Sequence, residues 1–495
     1  MTAALRRQLV AIVGTGHVTD ASAVLSSYAG EQGLFARKRP RLVVYPQTSE
    51  EVHRVVKLAN QQALALVPVS SGPPRIRGDT IPKVDNAVVV DLSRMNHLLR
   101  VDEKNKVVMV EPGFTFDALV AATEQHGLQP LMPLLPRSTK SVIASALDRE
   151  PVTIPRYHWD SSDPLLCTEV VFGSGDLFRT GAAAGPGSLE DQWASGQAQK
   201  NPLGPSQFDP FRIIQGSQGS LGIVTWATIK CEALPKIQKV FLVGADSPAS
   251  FQDFMYGVLK RRMGDHLFIL NRVNLASILQ TRPEQIRKVR DTLPEWVLVL
   301  SISGHGSLPT DEIEYVEGDI LDTARATSVQ LGQKLGKVSG DEVLKVLGKC
   351  SPEPYWKLRL KGGCQEIFFL TTLDKAAGYV ALFSQEAQRH GFSRDQVGVY
   401  IQPLVQGSST HCEFDLYYDQ EDAEERNRAQ ALYAKGSQRL LEAGAFFSRP
   451  HGAFTPAVYA KSSPGIVSAF RAVKAIFDPR HVMNPGTLCF TEVER

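Results

Sequence analysis

The chain has 495 residues, with 54 Lys and Arg against 52 Asp and Glu and a formal net charge of +2 at pH 7. Hydrophobic residues make up 43% and charged residues 21%, the balance of a globular chain rather than a disordered one. The length exceeds one core of ordinary size and predicts two to four domains, and a charge this close to balance gives no electrostatic reason for a nucleic-acid partner.

The opening stretch MTAALRRQLVAIVGTGHVTD is too short and too interrupted by Gly and polar residues for a membrane helix. It also lacks a signal-peptide core and cleavage site, so it reads as an amphipathic first helix of a cytoplasmic protein. The six cysteines are scattered with no CxxC pair, which argues against an iron–sulfur cluster or a zinc finger and for reduced structural thiols.

From Arg41 to Asp91 the pattern is mixed α/β. RLVVYP, LALVPVSS and NAVVVDLS read as strands. TSEEVHRVVKLANQQ between the first two reads as a helix, with Thr48 as N-cap and Glu51 completing a capping box. KVVMVEPG is a further strand, and FTFDALVAATEQHG a helix closed by Gly127. CTEVVFGSGDLFRTG reads as a hairpin turning at Gly173-Ser174-Gly175-Asp176. A Gly, Pro and Gln-rich stretch from Ala182 to Pro210 breaks the periodicity before IIQGSQGSLGIVTWATIKCEALP enters an apolar strand. After about Lys236 the strands KVFLVGAD, WVLVLSISG, EIFFLTTL and CEFDLYYD alternate with helices such as SFQDFMYGVLKRRM and DAEERNRAQALYAKGSQRLLEAG. That texture predicts one large α+β unit with an antiparallel sheet. The last helix, in PGIVSAFRAVKAIFDPRHVMNPGTLCF, stops at Asp478-Pro479.

Three separated loops suit a large cofactor. The first runs Ser70-Ser71-Gly72-Pro73-Pro74-Arg75-Ile76-Arg77-Gly78, where small residues let backbone approach a pyrophosphate and arginines neutralise it. It is not a GxGxxG loop opening a helix, which speaks against a Rossmann dinucleotide site. The second loop, Pro136-Arg137-Ser138-Thr139-Lys140-Ser141, offers hydroxyls and amides. The third, Gly216 to Thr225, carries Gly219, Gly222, Ile223 and Val224 into a strand and suits backbone packed on a flat ligand. Taken singly, each loop also reads as a plain surface turn or a bulged strand.

The motifs occur in the order YPQTSEEV, the small-residue loop, VVDLSRMNHLLRVD, VMVEPGFTF, TEVVFGSGDLFRTG, GSQGSLGIVT and FDPRHVMNPGTL. This order resembles the FAD-linked oxidases of the vanillyl-alcohol oxidase and p-cresol methylhydroxylase superfamily, from Arg41 to Phe490. RTGAAAGPGS followed by NPLGPSQFDPF, together with LDREP, looks like the 4-alkylphenol branch. The resemblance implies an α+β, two-domain FAD-binding fold of p-cresol methylhydroxylase type, whose cap domain carries an antiparallel sheet. The FAD-binding domain would comprise residues 1–236 and 446–495, with the cap over 237–445. FAD would be held by the first loop (Ser70, Ser71, Gly72, Pro73, Pro74, Arg75 and Ile76), by Pro136, Ser138 and Ser141, by Gly219, Gly222, Ile223 and Val224, and by Asn484 of the last motif. The implied activity is removal of a hydride from a small organic substrate, with electrons passing to oxygen, a cytochrome or another redox protein. The alternative is an FAD-binding subunit with no independent turnover. A homodimer or membership of a larger complex stays open.

The chain departs from the branch in ways that bear on chemistry. The position of its flavin tether falls near Lys357 or Leu358, neither able to form the usual tyrosyl or histidyl link, so FAD is expected to be non-covalent; Tyr355 lies close by. The two phenol-binding tyrosines are replaced by Arg77 and Ser448, whereas Arg449 is kept. Arg77 and Arg449 together suit a carboxylate, because guanidinium forks match it bidentately; Arg77 pairing with the FAD pyrophosphate or an acidic side chain is the equal alternative. His411 aligns with a histidine near the flavin and is the candidate base, against a core histidine bonded to backbone. His451 is the second candidate. Asp160 or His158 would lie near flavin N5. QPLVQGSSTH keeps only the final histidine of the HxGDGNLH metal motif of related hydroxy-acid dehydrogenases; His411, Glu413 and His451 stay open as a ligand set, but no metal is expected. Pro73 and Pro74 cannot donate backbone N–H, so Arg75 or Arg77 would compensate at the pyrophosphate.

Overall fold

Short valine-rich runs such as LVV and VVVD are too apolar for a strand with one wet face, and they form a small sheet covered on both sides. The computed structural model describes residues 2–29, 34, 38–74, 80–155, 164–196, 200–204 and 211–490. Leu42–Val44, Val88–Asp91 and Leu66–Val69 run parallel in that order, and Val18–Thr19 adds an antiparallel edge. The crossover helix Ser49–Gln62 starts where Thr48 accepts from the Glu51 amide at 3.2 Å. The Glu51 carboxylate reaches back one residue further than a capping box requires, to the Gln47 amide at 2.6 Å. The first helix of the sequence reading spans Thr2–Val13 and buries Leu5, Leu9 and Val13 against this layer.

A second sheet follows in the order Leu98–Asp102, Val107–Val110, Gly222–Ala233, Leu165–Phe172 and Leu177–Arg179, with Leu128–Pro130 on the far end of Gly222–Ala233. Its hairpin turns at Gly173 to Asp176 as the sequence reading expects. Gly127 closes the helix Phe116–Glu124 region with φ of 65°.

The third sheet is antiparallel throughout, ordered Ile237–Ala245, Trp296–Gly304, Leu267–Asn271, Val397–Leu404, Ser409–Asp419 and Gly362–Thr371. Side chains on a strand alternate between faces, and here the two faces have different partners. Phe241, Leu298, Phe369, Cys412 and Phe414 pack against the helices Gln252–Lys260, Pro309–Ala326, Leu373–Arg389 and Ala423–Glu442. Val240, Leu242, Val299, Phe268 and Tyr400 face the other way, toward Tyr355, Trp356, Leu134 and Leu135. Leu134 and Leu135, far upstream in the chain, thus help to cover this face of the sheet.

After the third sheet the chain returns to the first. Helix Pro464–Phe477 ends before Pro479, and Met483 pairs with Leu66 in a parallel bridge; the Leu66 carbonyl accepts from Asn484 N at 2.7 Å. A fully buried ammonium fixes the return. Lys474 Nζ donates to Asp478 Oδ2 at 2.5 Å, to the Met483 carbonyl at 2.8 Å and to the Ser220 carbonyl. Asp478 in turn accepts from the Val482 and Met483 amides at 3.0 and 2.9 Å. Removing one partner of such a pair strands the other charge in the interior. Lys474→Met is therefore expected to lower the unfolding free energy by about 3–5 kcal/mol, read by urea denaturation. A loss within the scatter of surface substitutions would mean that Asp478 is held by its amide donors alone.

Candidate functional site

The first and second loops of the sequence reading are bonded to one another. Gly72 N donates to the Thr139 carbonyl at 3.0 Å, Thr139 Oγ1 donates to the Pro73 carbonyl at 2.8 Å, and Ser141 N donates to Ser71 Oγ at 3.0 Å. Arg137 Nη1 donates to the Gly72 carbonyl at 2.8 Å and also to that of Pro74. The third loop packs against the strand that leads into the first. At Gly219, with φ of 70°, an added Cβ would stand 2.5 Å from Pro68 Cγ, so only glycine lets this turn lie against the strand Leu66–Val69. Gln218 links it outward: its carbonyl accepts from Asn484 Nδ2 at 2.8 Å, and its side-chain amide donates to the Pro450 carbonyl at 2.8 Å.

These loops line one side of an elongated cleft with about 1640 Å³ of free space, its open mouth included. Ser70, Ser71, Pro136, Gln218, Gly219 and Ile223 stand on that side, and Tyr355, Trp356, Lys357, Glu366, Tyr400 and Glu413 on the wall built from the third sheet. The two sides meet where Ser351 N donates to the Pro136 carbonyl at 2.7 Å.

The charged wall follows from strand alternation. His411, Glu413 and Asp415 occupy successive positions of one face of Ser409–Asp419, between Cys412 and Phe414 on the other. Across the ladder Glu366 opposes Asp415, Phe368 opposes Glu413, and Tyr400 flanks Glu413 from the other neighbour. Lys357, in the short turn Trp356–Leu358, inserts its ammonium among the carboxylates: Glu366 Oε1 at 2.5 Å, Asp415 Oδ1 at 3.0 Å, and Glu413 Oε1 in still closer contact. All four are buried. The turn is pinned by buried Arg359, which donates to the carbonyls of Ser277, Ile278 and Pro352. Burial works against the Lys357 charge, yet Asp415, Glu366 and Glu413 outweigh it and hold the ammonium well above the ordinary lysine value. Burial also raises Asp415; Lys357 pulls it down, Glu413 and Glu366 push it up, and the net direction is up. Glu413 resists burial because Lys357 and the His411 contact favour its ionised form, and it lies below the ordinary carboxylate range. Lys357 and the His411 contact thus hold Glu413 down, while burial and the neighbouring carboxylates push Asp415 up.

His411 Nε2 meets Glu413 Oε2 at 3.1 Å, behind the cleft wall. Burial lowers its pKa against the pull of Glu413. Beyond it, Arg449 lies 4.2 Å over the Phe368 ring, and the His451 ring stacks on Phe368 at 4.9 Å. The structure thus brings His411, Arg449 and His451 together around Phe368, next to Glu413. The alternative of a histidine bonded to backbone does not describe His411, whose ring meets a carboxylate. Of the residues read as cofactor-binding, Ser70, Ser71, Pro136, Gly219, Gly222, Ile223 and Val224 line the cleft. Gly72, Pro73 and Pro74 are carried behind it by the bonds to Arg137 and Thr139. Ser141 caps the helix Val142–Leu147 and donates to the Pro112 carbonyl at 2.6 Å. Ser138 is half-buried, and Asn484 acts through Gln218. Arg75, Ile76, Arg77, His158 and Asp160 lie outside the described residues.

Two family models match the chain, an FAD binding domain over residues 40–181 and the C-terminal domain of FAD linked oxidases over residues 371–488. The chain belongs to the FAD-linked oxidases, whose two domains it carries. It is 24% identical to the glycolate oxidase subunit GlcD of Bacillus subtilis, over 99% of this chain and 97% of that one. It is 22% identical to the mitochondrial D-lactate dehydrogenase [cytochrome] of Arabidopsis thaliana, over 91% and 73%. Its fold matches the crystal structure of p-cresol methylhydroxylase with substrate bound at a TM-score of 0.84 and 18% identity, covering 100% of this chain and 97% of that one. It is an oxidoreductase whose cofactor is FAD, and no helix among the described residues is long and apolar enough to cross a membrane. The cleft fits that cofactor in its own right. The Gly219 turn leaves backbone rather than side chain on one wall, and the buried Thr80 hydroxyl on the lining has no hydrogen-bond partner among the described residues.

Glu366, Asp415 and the ion-paired roles of Glu413 and Lys357 were missed by sequence reasoning, which weighed Glu413 only as a metal ligand. Their signal was present in THCEFDLYYD, where three ionisable residues alternate with apolar ones on a strand that is buried on both faces. The pH dependence of stability tests the His411 assignment. Its folded pKa lies below the unfolded value of about 6.5, so the unfolded chain takes up the proton first as pH falls. Its contribution is present above that value and is lost as pH falls through the folded one. His411→Gln, which keeps a donor toward Glu413, should remove that loss, which amounts to at most about 1.4 kcal/mol per pH unit. Equal slopes for both proteins in urea titrations below neutral pH would mean that the ring is protonated in the fold.

Proposed function

We propose that this FAD-linked oxidase removes a hydride from a small organic substrate, an alcohol, an aryl-alkyl compound or a hydroxy acid, and that the substrate carries a carboxylate. The observation behind this reading is Arg449 beside Phe368, His451 and His411, adjacent to the Glu413 end of the cleft. A guanidinium fork holds a carboxylate in one orientation. The glycolate and D-lactate in the names of two relatives are hydroxy acids and support the same substrate class.

Bound FAD would supply the hydride acceptor at N5. Arg449 orients the substrate carboxylate. The hydroxyl proton goes to His411, which burial keeps neutral in the fold, and Glu413 at 3.1 Å offsets the charge that forms. Arg77 and Asp160 join the proposal on sequence grounds alone. The electrons leave to oxygen or to a separate redox protein. The proposed division of labour is an FAD-binding part over 1–236 and 446–495, and a substrate-bearing cap over 237–445. Non-covalent FAD follows from Lys357, whose ammonium is committed to three carboxylates at the tether position of the resemblance.

Anaerobic reduction of the flavin by a panel of alcohols, phenols and hydroxy acids tests the reading. A hydroxy acid should bleach the flavin, and Arg449→Ala should weaken its apparent affinity roughly 10- to 100-fold, the equivalent of about 1.5–3 kcal/mol for a charged hydrogen bond. Unchanged affinity would sink the carboxylate assignment, and a yellow protein inert to the whole panel would favour an FAD-binding subunit without turnover. Acid precipitation should leave the flavin in the supernatant; flavin retained in the pellet would point to Tyr355, which also lines the cleft, as a covalent tether.

A further inference from the structure

The carboxyl oxygens of Glu366, Glu413 and Asp415 lie within 4.8 Å of one another, the spacing of groups that share one metal ion. Hard cations are held by several carboxylate oxygens converging on a point. In this chain the convergence is occupied by Lys357 Nζ, in contact with all three groups. The surroundings are also built like those of an ion. Asp415 Oδ2 accepts from Asn274 Nδ2 at 2.7 Å, and Asn274 Oδ1 accepts from the Tyr417 hydroxyl at 2.7 Å. Glu413 carries the His411 contact on its far oxygen. Such outer partners orient ligands around a central charge. Three like charges on neighbouring strand positions would repel one another apart without that charge.

We propose that Glu366, Glu413 and Asp415 form a latent divalent-cation site whose ion is replaced by the tethered Lys357 ammonium, and that Lys357 is thereby the positioning residue for the Glu413 carboxylate on the cleft wall. A lysine differs from an ion in two respects. It cannot be lost by dilution or chelation, and its four-carbon stem enters from the Trp356–Leu358 turn, so the charge is delivered only when that turn is folded against the sheet. Removing the ammonium while keeping the carboxylates opens a place for a metal ion, reached from the cleft that Lys357, Glu366 and Glu413 line. The proposal does not depend on the substrate class, because its test reads metal binding rather than turnover.

The experiment uses flavin-loaded Lys357→Ala and Lys357→Met, the second keeping the apolar stem, beside wild type. Each is titrated with Mn2+ and followed by the EPR signal of the free ion and by thermal melting. Both variants should melt below wild type without metal, should remove free Mn2+ to one ion per chain, and should regain melting temperature as they do so. Wild type should leave the free-ion signal and its own melting temperature unchanged. Glu366→Gln added to Lys357→Ala should abolish the uptake. Uptake by wild type equal to that of the variants, uptake that survives Glu366→Gln, or folded variants that take up no Mn2+ would each overturn the proposal. So would variants that stay unfolded with Mn2+ present, since an ion in that place has to restore the missing charge.

Discussion

Three carboxylates and one ammonium at the centre of a protein form an arrangement that must be complete or absent. Each buried ion loses several kcal/mol of hydration, and only the mutual contacts return it. Lys357 comes from a turn, Glu366 from one strand, and Glu413 and Asp415 from the next, so the contact exists only when turn and sheet are assembled. The positions of the surrounding groups depend on it. Glu413 is fixed between Phe368 and Tyr400, His411 is fixed by Glu413, and Phe368 carries Arg449 and His451. The ionic cluster and the aromatic platform are therefore consecutive layers of one face of the sheet.

The opposite side of the cleft is held by hydrogen bonds to backbone carbonyls. Arg137 and Thr139 capture the carbonyls of Gly72, Pro73 and Pro74, which places the prolines on the supporting side of the loop. Their lack of N–H donors costs little there, because it is their carbonyls that are used. Gln218 ties the glycine turn both to Asn484 and to the segment that carries Arg449 and His451. A single residue thus couples the cofactor loop, the C-terminal return and the candidate substrate end.

Two departures from the 4-alkylphenol pattern take on physical content in this setting. Lys357, which the resemblance sets near the tether position, is a partner for three carboxylates, and a tyrosine or histidine there would leave those charges uncompensated. In the proposed reading, Arg449 over the Phe368 ring, with His411 and His451 nearby, receives a charged group rather than a phenol ring.

The sequence by itself determined the elements. Short apolar runs bounded by turn residues marked the strands, Thr48 and Gly127 marked helix ends, and Asp478-Pro479 stopped the last helix, because these signals are local properties of backbone and side-chain shape. The order of seven motifs determined the family and with it FAD. It did not show that Ser141 is spent on a helix cap and on Pro112, or that Asn484 acts through Gln218, because hydrogen-bond partners distant in sequence leave no local trace. Nor did it show the charge cluster. Alternating His411, Glu413 and Asp415 read equally well as a wet strand face, and a helix layer on the other side cannot be told from sequence period alone. Only the packing of the Trp356–Leu358 turn onto that face decided it, by burying the three acids and bringing to them the Lys357 ammonium that offsets their charge.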